Sequence, residues 1–259
     1  MSTYVFSDVH GHRATLERVL MRVSPAEGDR ILCLGDMIDR GPDPIGVLRL
    51  VHALPGAEAL IGNHEDLMLD YLRSQGDPLA AMNWSINGGA VTLDGLETLD
   101  EDEYEDLLNW VRTRPRSAHV RVGERLYLLA HAGVCLSVPE PAAWDDAGAD
   151  AYLAAQSDED LTWIREEFWG AERGLLGDDG TGPVVVAGHT PTPYLERMAR
   201  ELDRPAFGDD GLARMVRVGA ERDRWDIDSG AAGGAGFGQV LVLRLDDGEE
   251  FYEPVREGE

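Results

Sequence analysis

The chain has 259 residues, 43% of them apolar, and a formal net charge of −26; its 23 strongly basic residues are all arginine. So acidic a surface repels nucleic-acid backbones and anionic membranes, and no apolar run reaches the ~18 to 20 residues of a membrane-spanning helix. The N-terminus enters a strand-like segment without the basic region and apolar stretch of a signal peptide. The two cysteines, Cys33 and Cys135, show no metal or redox spacing. The expectation is therefore a cytoplasmic protein in a reducing compartment, with neither nucleic acid nor membrane as partner.

Thr3 to Phe6 is a short apolar strand that ends in Ser7-Asp8-Val9-His10-Gly11, and Leu16, Val19, Leu20 and Val23 then follow at helical spacing. A second buried strand, Ile31 to Leu34, breaks at Gly35 and delivers Asp36, Asp39 and Arg40 before Gly41. Pro44 opens a helix to about Leu54. Ala57 to Ile61 is a third strand, ending in Gly62-Asn63-His64-Glu65, with a helix from about Asp66 to Arg73. This alternation predicts parallel strands joined by right-handed crossovers. Asn83 to Gly89 reads as a loop holding one large aromatic, Trp84, and Asp100 to Arg112 as an acidic amphipathic helix. Ser117–Val122 and Arg125–Ala130 alternate around Gly123 as a hairpin and end at His131-Ala132-Gly133.

Residues 139–182 are rich in Ala, Gly and Asp, with a helix over Asp158 to Trp169, and read as a surface excursion over the site. Pro183 to Ala187 is another strand, ending in Gly188-His189-Thr190. Further strands are expected near Met215–Val218, Arg224–Ile227 and Val240–Leu245. With no internal repeat and no evident boundary, residues 1–259 read as a single domain.

Five strand ends thus each carry a side chain able to bind a metal: Asp8 with His10, Asp36, Asn63, His131 and His189. Four of the seven histidines stand in these segments, whereas His12, His52 and His119 are assigned no chemistry. The set is nitrogen and oxygen without thiolate, which favours manganese and also suits iron or zinc. Six ligands exceed the needs of one open catalytic ion but suit two divalent ions sharing a bridging carboxylate.

In order, Asp8-Val9-His10-Gly11, Gly35-Asp36-Met37-Ile38-Asp39-Arg40-Gly41, Gly62-Asn63-His64-Glu65, His131-Ala132-Gly133 and Gly188-His189 resemble the motifs of the phosphoprotein phosphatase family. These are calcineurin-like metallophosphoesterases, and the bacterial and phage branch is the most similar. The resemblance spans Tyr4 to about Ala232. Trp84 to Gly89, Leu161-Thr162-Trp163-Ile164-Arg165 and Asp228-Ser229-Gly230 add to it. It implies an α/β fold, a four-layer sandwich of two mixed β-sheets flanked by helices, with a dinuclear metal site at the strand C-terminal ends. It also implies that Asp8 and His10 hold the first metal, that Asn63, His131 and His189 hold the second, and that Asp36 bridges them. His64 would protonate the leaving oxygen, oriented by Asp39; Arg40 and Arg165, with Asn63, would bind the phosphate. Ser7 departs from the glycine usual in the family, without altering a ligand.

No nucleophilic serine or cysteine signature is present, so hydrolysis is expected to proceed by direct in-line attack of a hydroxide shared by two cations. The first substrate expected is a phosphorylated protein at serine or threonine, or a small phosphate ester. The alternative is symmetrical hydrolysis of bis(5′-nucleosyl) tetraphosphates. Leu107-Leu108-Asn109-Trp110 with Pro115 resembles that branch, whereas Glu65 stands where its members tend to carry aspartate. A third reading, a non-catalytic binding module on a relic metal site, gives no reason to keep Asp39, Arg40 and His64.

Overall fold

Strands buried on both faces need a layer on each side. In β1 (Thr3–Phe6) and β2 (Arg30–Cys33), Tyr4, Phe6, Ile31 and Cys33 enter one apolar cluster, while Val5 and Leu32 enter another. The computed structural model, which describes residues 1–177 and 180–259, resolves this demand as a four-layer sandwich. The later strands are β3 (Ala57–Ala59), β4 (Ser117–Val122), β5 (Arg125–Ala130), β6 (Val184–Ala187), β7 (Val216–Val218), β8 (Arg224–Asp226), β9 (Gln239–Arg244) and β10 (Glu250–Pro254). The first sheet runs β10-β9-β1-β2-β3 and the second β4-β5-β6-β8-β7. β1, β2 and β3 are parallel, as are β5, β6 and β8, and the remaining pairings are antiparallel.

Between the sheets, Val5, Leu32, Leu34 and Leu241 meet Tyr127, Leu129, Val184 and Val186. Helices α1 (Arg13–Val23), α2 (Pro44–Ala53) and α3 (Asn63–Arg73) pack on the outer face of the first sheet. They are followed by α4 (Pro78–Ile86), α5 (Ala90–Leu96) and α6 (Glu101–Arg112), which extend the same cluster through Trp84, Leu96 and Leu108. α7 (Asp146–Ala154), α8 (Asp158–Trp163), α9 (Glu166–Trp169) and α10 (Leu195–Met198) cover the second sheet. Leu129 is fully buried in the inter-sheet layer. Leu129→Ala is expected to cost about 2–5 kcal/mol through lost transfer energy and the cavity left behind, measurable as a lower midpoint in denaturant.

Four details differ from the sequence reading. Residues 83–86, expected in a loop, complete α4, which Pro78 starts and the Asp77 side chain caps. α3 begins at Asn63 rather than near Asp66, so Asn63, His64 and Glu65 form its first turn. The single helix expected over Asp158–Trp169 breaks between α8 and α9, where Ile164 is extended (ψ 140°); neither proline nor glycine marks the break. β10 was not anticipated: it is an edge strand of mixed burial ending in proline, without the alternation that reveals a strand. Asp178 and Asp179, within the expected surface excursion, lie outside the described residues.

Candidate metal centre

The parallel strands of both sheets end on one rim, the place where α/β sheets collect ligands. The backbone there is unusual. Nine non-glycine residues among those described adopt the left-handed region, and six of them are Asp8, His10, Asp36, Asp39, Arg40 and His189. Each such residue costs on the order of 1 kcal/mol or more, and hydrogen bonds between loops hold them in place. The Asp8 N–H donates to the Gly35 carbonyl (3.1 Å), His10 N–H to Asp36 (2.9 Å) and Gly41 N–H to His10 (3.0 Å). Gly35 (φ +98°) lies so close to the Gly62 backbone that a Cβ would collide with it. Ser7 stands outside the left-handed set, so the departure from glycine carries no strain.

Glu65 ties two loops together. Its buried carboxyl accepts N–H donors from Gly62 (2.9 Å), Asp36 (2.9 Å) and Met37 (2.8 Å). Burial and the neighbouring Asp36 push its pKa up to about 7, while the three donors pull it back toward the carboxylate.

Two groups of candidate ligands share Asp36: His10, Asp36 and His64, and Asp36, His131 and His189, with the ligand atoms of each group within 4.8 Å of one another. Asp36 Oδ2 lies 3.5 Å from His10 Nε2 and 3.4 Å from His131 Nε2. Asn63 Oδ1 completes the second group, 2.9 Å from His131 Nε2 and 2.8 Å from His189 Nδ1. Asp8 lies beside them with both carboxylate oxygens on the His189 N–H, at 3.1 and 3.0 Å.

The donor chemistry of these side chains fits metal ions. His10 Nδ1 lies 3.0 Å from the Ile38 carbonyl and His131 Nδ1 3.0 Å from that of Leu34, so each ring donates there and turns its Nε2 inward. Those nitrogens face Asp36 and Asn63 oxygens, a donor set that suits a cation between them. A backbone carbonyl behind the ring is also the usual support of a metal-binding histidine.

The electrostatics agree. Burial, with His64 and His131 nearby respectively, holds His10 and His189 well below the ordinary histidine range, in the neutral ligating form. For His131 burial acts in the same sense, but the adjacent Asp36 outweighs it and raises the ring to about 9. A metal entering this group must displace that proton. Apparent affinity is therefore expected to rise about tenfold per pH unit below that value. Calorimetry in buffers of different ionisation enthalpy should register one proton released.

On the open side, His64 Nδ1 donates to Asp39 Oδ2 at 2.7 Å, and Arg40 Nη2 donates to His64 Nε2 at 2.9 Å. Burial opposes charge on His64, but Asp36 and the Asp39 hydrogen bond prevail and its pKa is raised. Arg165, at the break between α8 and α9, donates to Thr190 Oγ1 (3.2 Å). Both arginines line a cleft of about 320 Å³ together with Asp36, Asn63, His64, Trp163, Tyr194 and Phe237, the Trp163 ring 5.7 Å from that of His189. The structure thus gathers all ten residues singled out from the sequence around one rim. It adds Tyr194 and Phe237 to the cleft wall, and two partners of Asp39: Thr92, which gave no signal in the sequence, and Trp84, whose motif was visible but whose contact was not.

Residues 1–220 match the calcineurin-like phosphoesterase family, and the chain belongs to it. It is a hydrolase of the metallophosphoesterase class, a family that uses divalent metal ions. A symmetrical bis(5′-nucleosyl)-tetraphosphatase of Methylococcus capsulatus is 34% identical over 70% of this chain, which spans 60% of that protein's length. One from Pectobacterium atrosepticum is 37% identical, covering 98% of this chain and 95% of its own. Serine/threonine-protein phosphatase 2 of Salmonella typhimurium is 27% identical over 77% of this chain and 84% of its own. A metallophosphoesterase from Sphaerobacter thermophilus shares the fold with a TM-score of 0.54 and 16% identity, covering 99% of this chain and 88% of that one. Among the described residues, no helix is long and apolar enough to cross a membrane.

Proposed function

We propose that this protein hydrolyses dinucleoside tetraphosphates symmetrically, releasing two nucleoside diphosphates, in preference to the phosphoserine and phosphothreonine reading that the motifs first suggested. The similarity to a tetraphosphatase over nearly the full length of both chains carries this reading. The cleft supports it: two arginines and an asparagine suit a phosphate chain, and Trp163, Tyr194 and Phe237 line the same cleft with aromatic rings. Glu65 was the residue against it. Its carboxyl is occupied by three backbone amides and is fully buried, so it bears on the loop rather than on the substrate.

In this reading Asp8 and His10 would hold one divalent ion, Asn63, His131 and His189 the other, and Asp36 would serve both, with manganese favoured over iron or zinc. Such a pair, when bound, activates water and neutralises charge on the transferred phosphoryl group. Arg40 and Arg165 bind phosphate oxygens, which brings the phosphorus beside Asp36. Asp39 fixes the tautomer and direction of the His64 ring, and His64 Nε2 supplies the proton to the leaving oxygen. Arg40 now donates to that same nitrogen. A phosphate that draws the guanidinium away frees Nε2 to carry its proton, so binding and acid catalysis are linked through Arg40. Residues 1–259 act as a single domain in this scheme.

The test is product analysis with manganese on diadenosine tetraphosphate and on a phosphoserine peptide, side by side. ADP as the sole nucleotide product is expected. Equal amounts of AMP and ATP, or release of phosphate from the peptide alone, would overturn the proposal. The peptide outcome would favour the second reading, which the similarity to the Salmonella phosphatase supports.

A further inference from the structure

We infer that Thr92 and Trp84 are positioning residues for the proton-donating pair His64 and Asp39, and that the segment bearing them also seats Arg40. The Asp39 carboxylate is fully buried, and its oxygens are fully engaged. Oδ1 accepts the Thr92 hydroxyl at 2.5 Å, while Oδ2 accepts Trp84 Nε1–H at 2.9 Å and His64 Nδ1–H at 2.7 Å. The Thr92 oxygen in turn accepts the Asp39 backbone N–H at 3.0 Å. One hydroxyl thus grips both the side chain and the backbone of a residue held at φ 68°.

A carboxylate with one free oxygen can rotate about its Cβ–Cγ bond and carry the imidazole with it. Here the indole and the hydroxyl, arriving from opposite ends of one short arm, block that rotation. Trp84 is itself fixed: it is 2% exposed, and its ring lies 5.1 Å from that of Tyr71 on α3.

The same arm reaches the phosphate side. Between α4 and α5, the Gly88 carbonyl accepts the Arg40 N–H (3.3 Å) and the Asn87 carbonyl accepts Arg40 Nε–H (3.4 Å). Nine consecutive residues, 84 to 92, therefore set the ring that donates the proton and the guanidinium that receives the phosphate. A segment that only filled space would not need five polar contacts directed at two adjacent residues.

This inference rests on the proposed role of His64 as proton donor, and holds for either class of phosphate ester. Thr92→Val, Thr92→Ser and Trp84→Phe would be assayed with manganese on phenyl phosphate and on 2,4-dinitrophenyl phosphate, whose leaving group needs little protonation. Thr92→Val is expected to lower kcat on phenyl phosphate about 10- to 100-fold, a part of the roughly 10²–10⁴-fold that a positioned general acid supplies. KM should change little, the dinitrophenyl ester should fall far less, and Thr92→Ser should restore most of the loss. Trp84→Phe should act in the same direction. Equal losses on both esters, or a serine variant no better than valine, would overturn the inference in favour of simple packing.

A second readout does not depend on turnover. In ¹⁵N-histidine-labelled protein, a slowly exchanging Nδ1–H of His64 is expected in the wild type and in Thr92→Ser, and fast exchange in Thr92→Val. An unchanged Nδ1–H in Thr92→Val would also overturn it. Failure to cleave diadenosine tetraphosphate would count against the proposed substrate and leave these comparisons intact.

Discussion

Replacing His64 with asparagine is expected to reduce turnover of an alkyl phosphate by about 10²–10⁴-fold, the usual contribution of a positioned general acid. Activity on a nitrophenyl ester should fall far less, because a nitrophenolate departs without help. The expectation follows from geometry. His64 is 1% exposed, its Nδ1 is engaged with Asp39 at 2.7 Å, and its Nε2 reaches the cleft beside Arg40. The ring lies within 3.9 Å of Asp36 Oδ2, so a substrate phosphate held near Asp36 would present its leaving oxygen to Nε2. Metal content measured in the variant separates this role from ligation: full occupancy with lost alkyl-ester turnover is the expected pattern. Unchanged turnover of alkyl phosphates would remove His64 from the chemistry.

Asp36→Asn should be more damaging still. It is the side chain common to both candidate ligand groups, and its Oδ2 faces His10 and His131 at 3.5 and 3.4 Å. Asparagine keeps an oxygen for the His64 backbone N–H, which Asp36 Oδ1 accepts at 3.1 Å, so the loop should persist. It loses the negative charge that, in the proposed site, would hold two cations together. Metal affinity should fall by more than the roughly 10–100-fold caused by removing a supporting partner, and hydrolysis should approach background. Elemental analysis after gel filtration, with circular dichroism to establish folding, tests this. Two tightly held metals in Asp36→Asn would remove its bridging role.

The site was legible in the sequence because each candidate ligand stands at the end of a strand-like segment, in a short motif that also holds glycine. Asp8, Asp36, His131 and His189 could be placed from that pattern alone, and the family resemblance supplied which residues pair. The sandwich itself was less visible. Alternating Tyr4, Val5 and Phe6 show that both faces are buried, but not which second sheet covers Val5. Trp84 was assigned to a loop because its neighbours Asn83, Ser85 and Asn87 are poor helix formers. Capping by Asp77 and burial of the indole beneath Asp39 override that preference. The break at Ile164–Arg165 carries no proline or glycine, and only the packing of Leu161 and Phe168 on the second sheet reveals it. The substrate preference was shifted by a single residue, Glu65, whose contacts are entirely internal.

The candidate ligands come from opposite halves of the sandwich: Asp8, His10, Asp36 and Asn63 follow strands of the first sheet, His131 and His189 strands of the second. The apolar layer between the sheets therefore sets how far the ligand candidates of one sheet stand from those of the other. Trimming Leu129 or Val186 would let the halves slide, and close-packed interiors transmit such shifts rather than absorb them. Substitutions in that layer, where Leu129 and Val186 stand two and three residues before His131 and His189, would then be read out as a change in the distance of those histidines from Asp36.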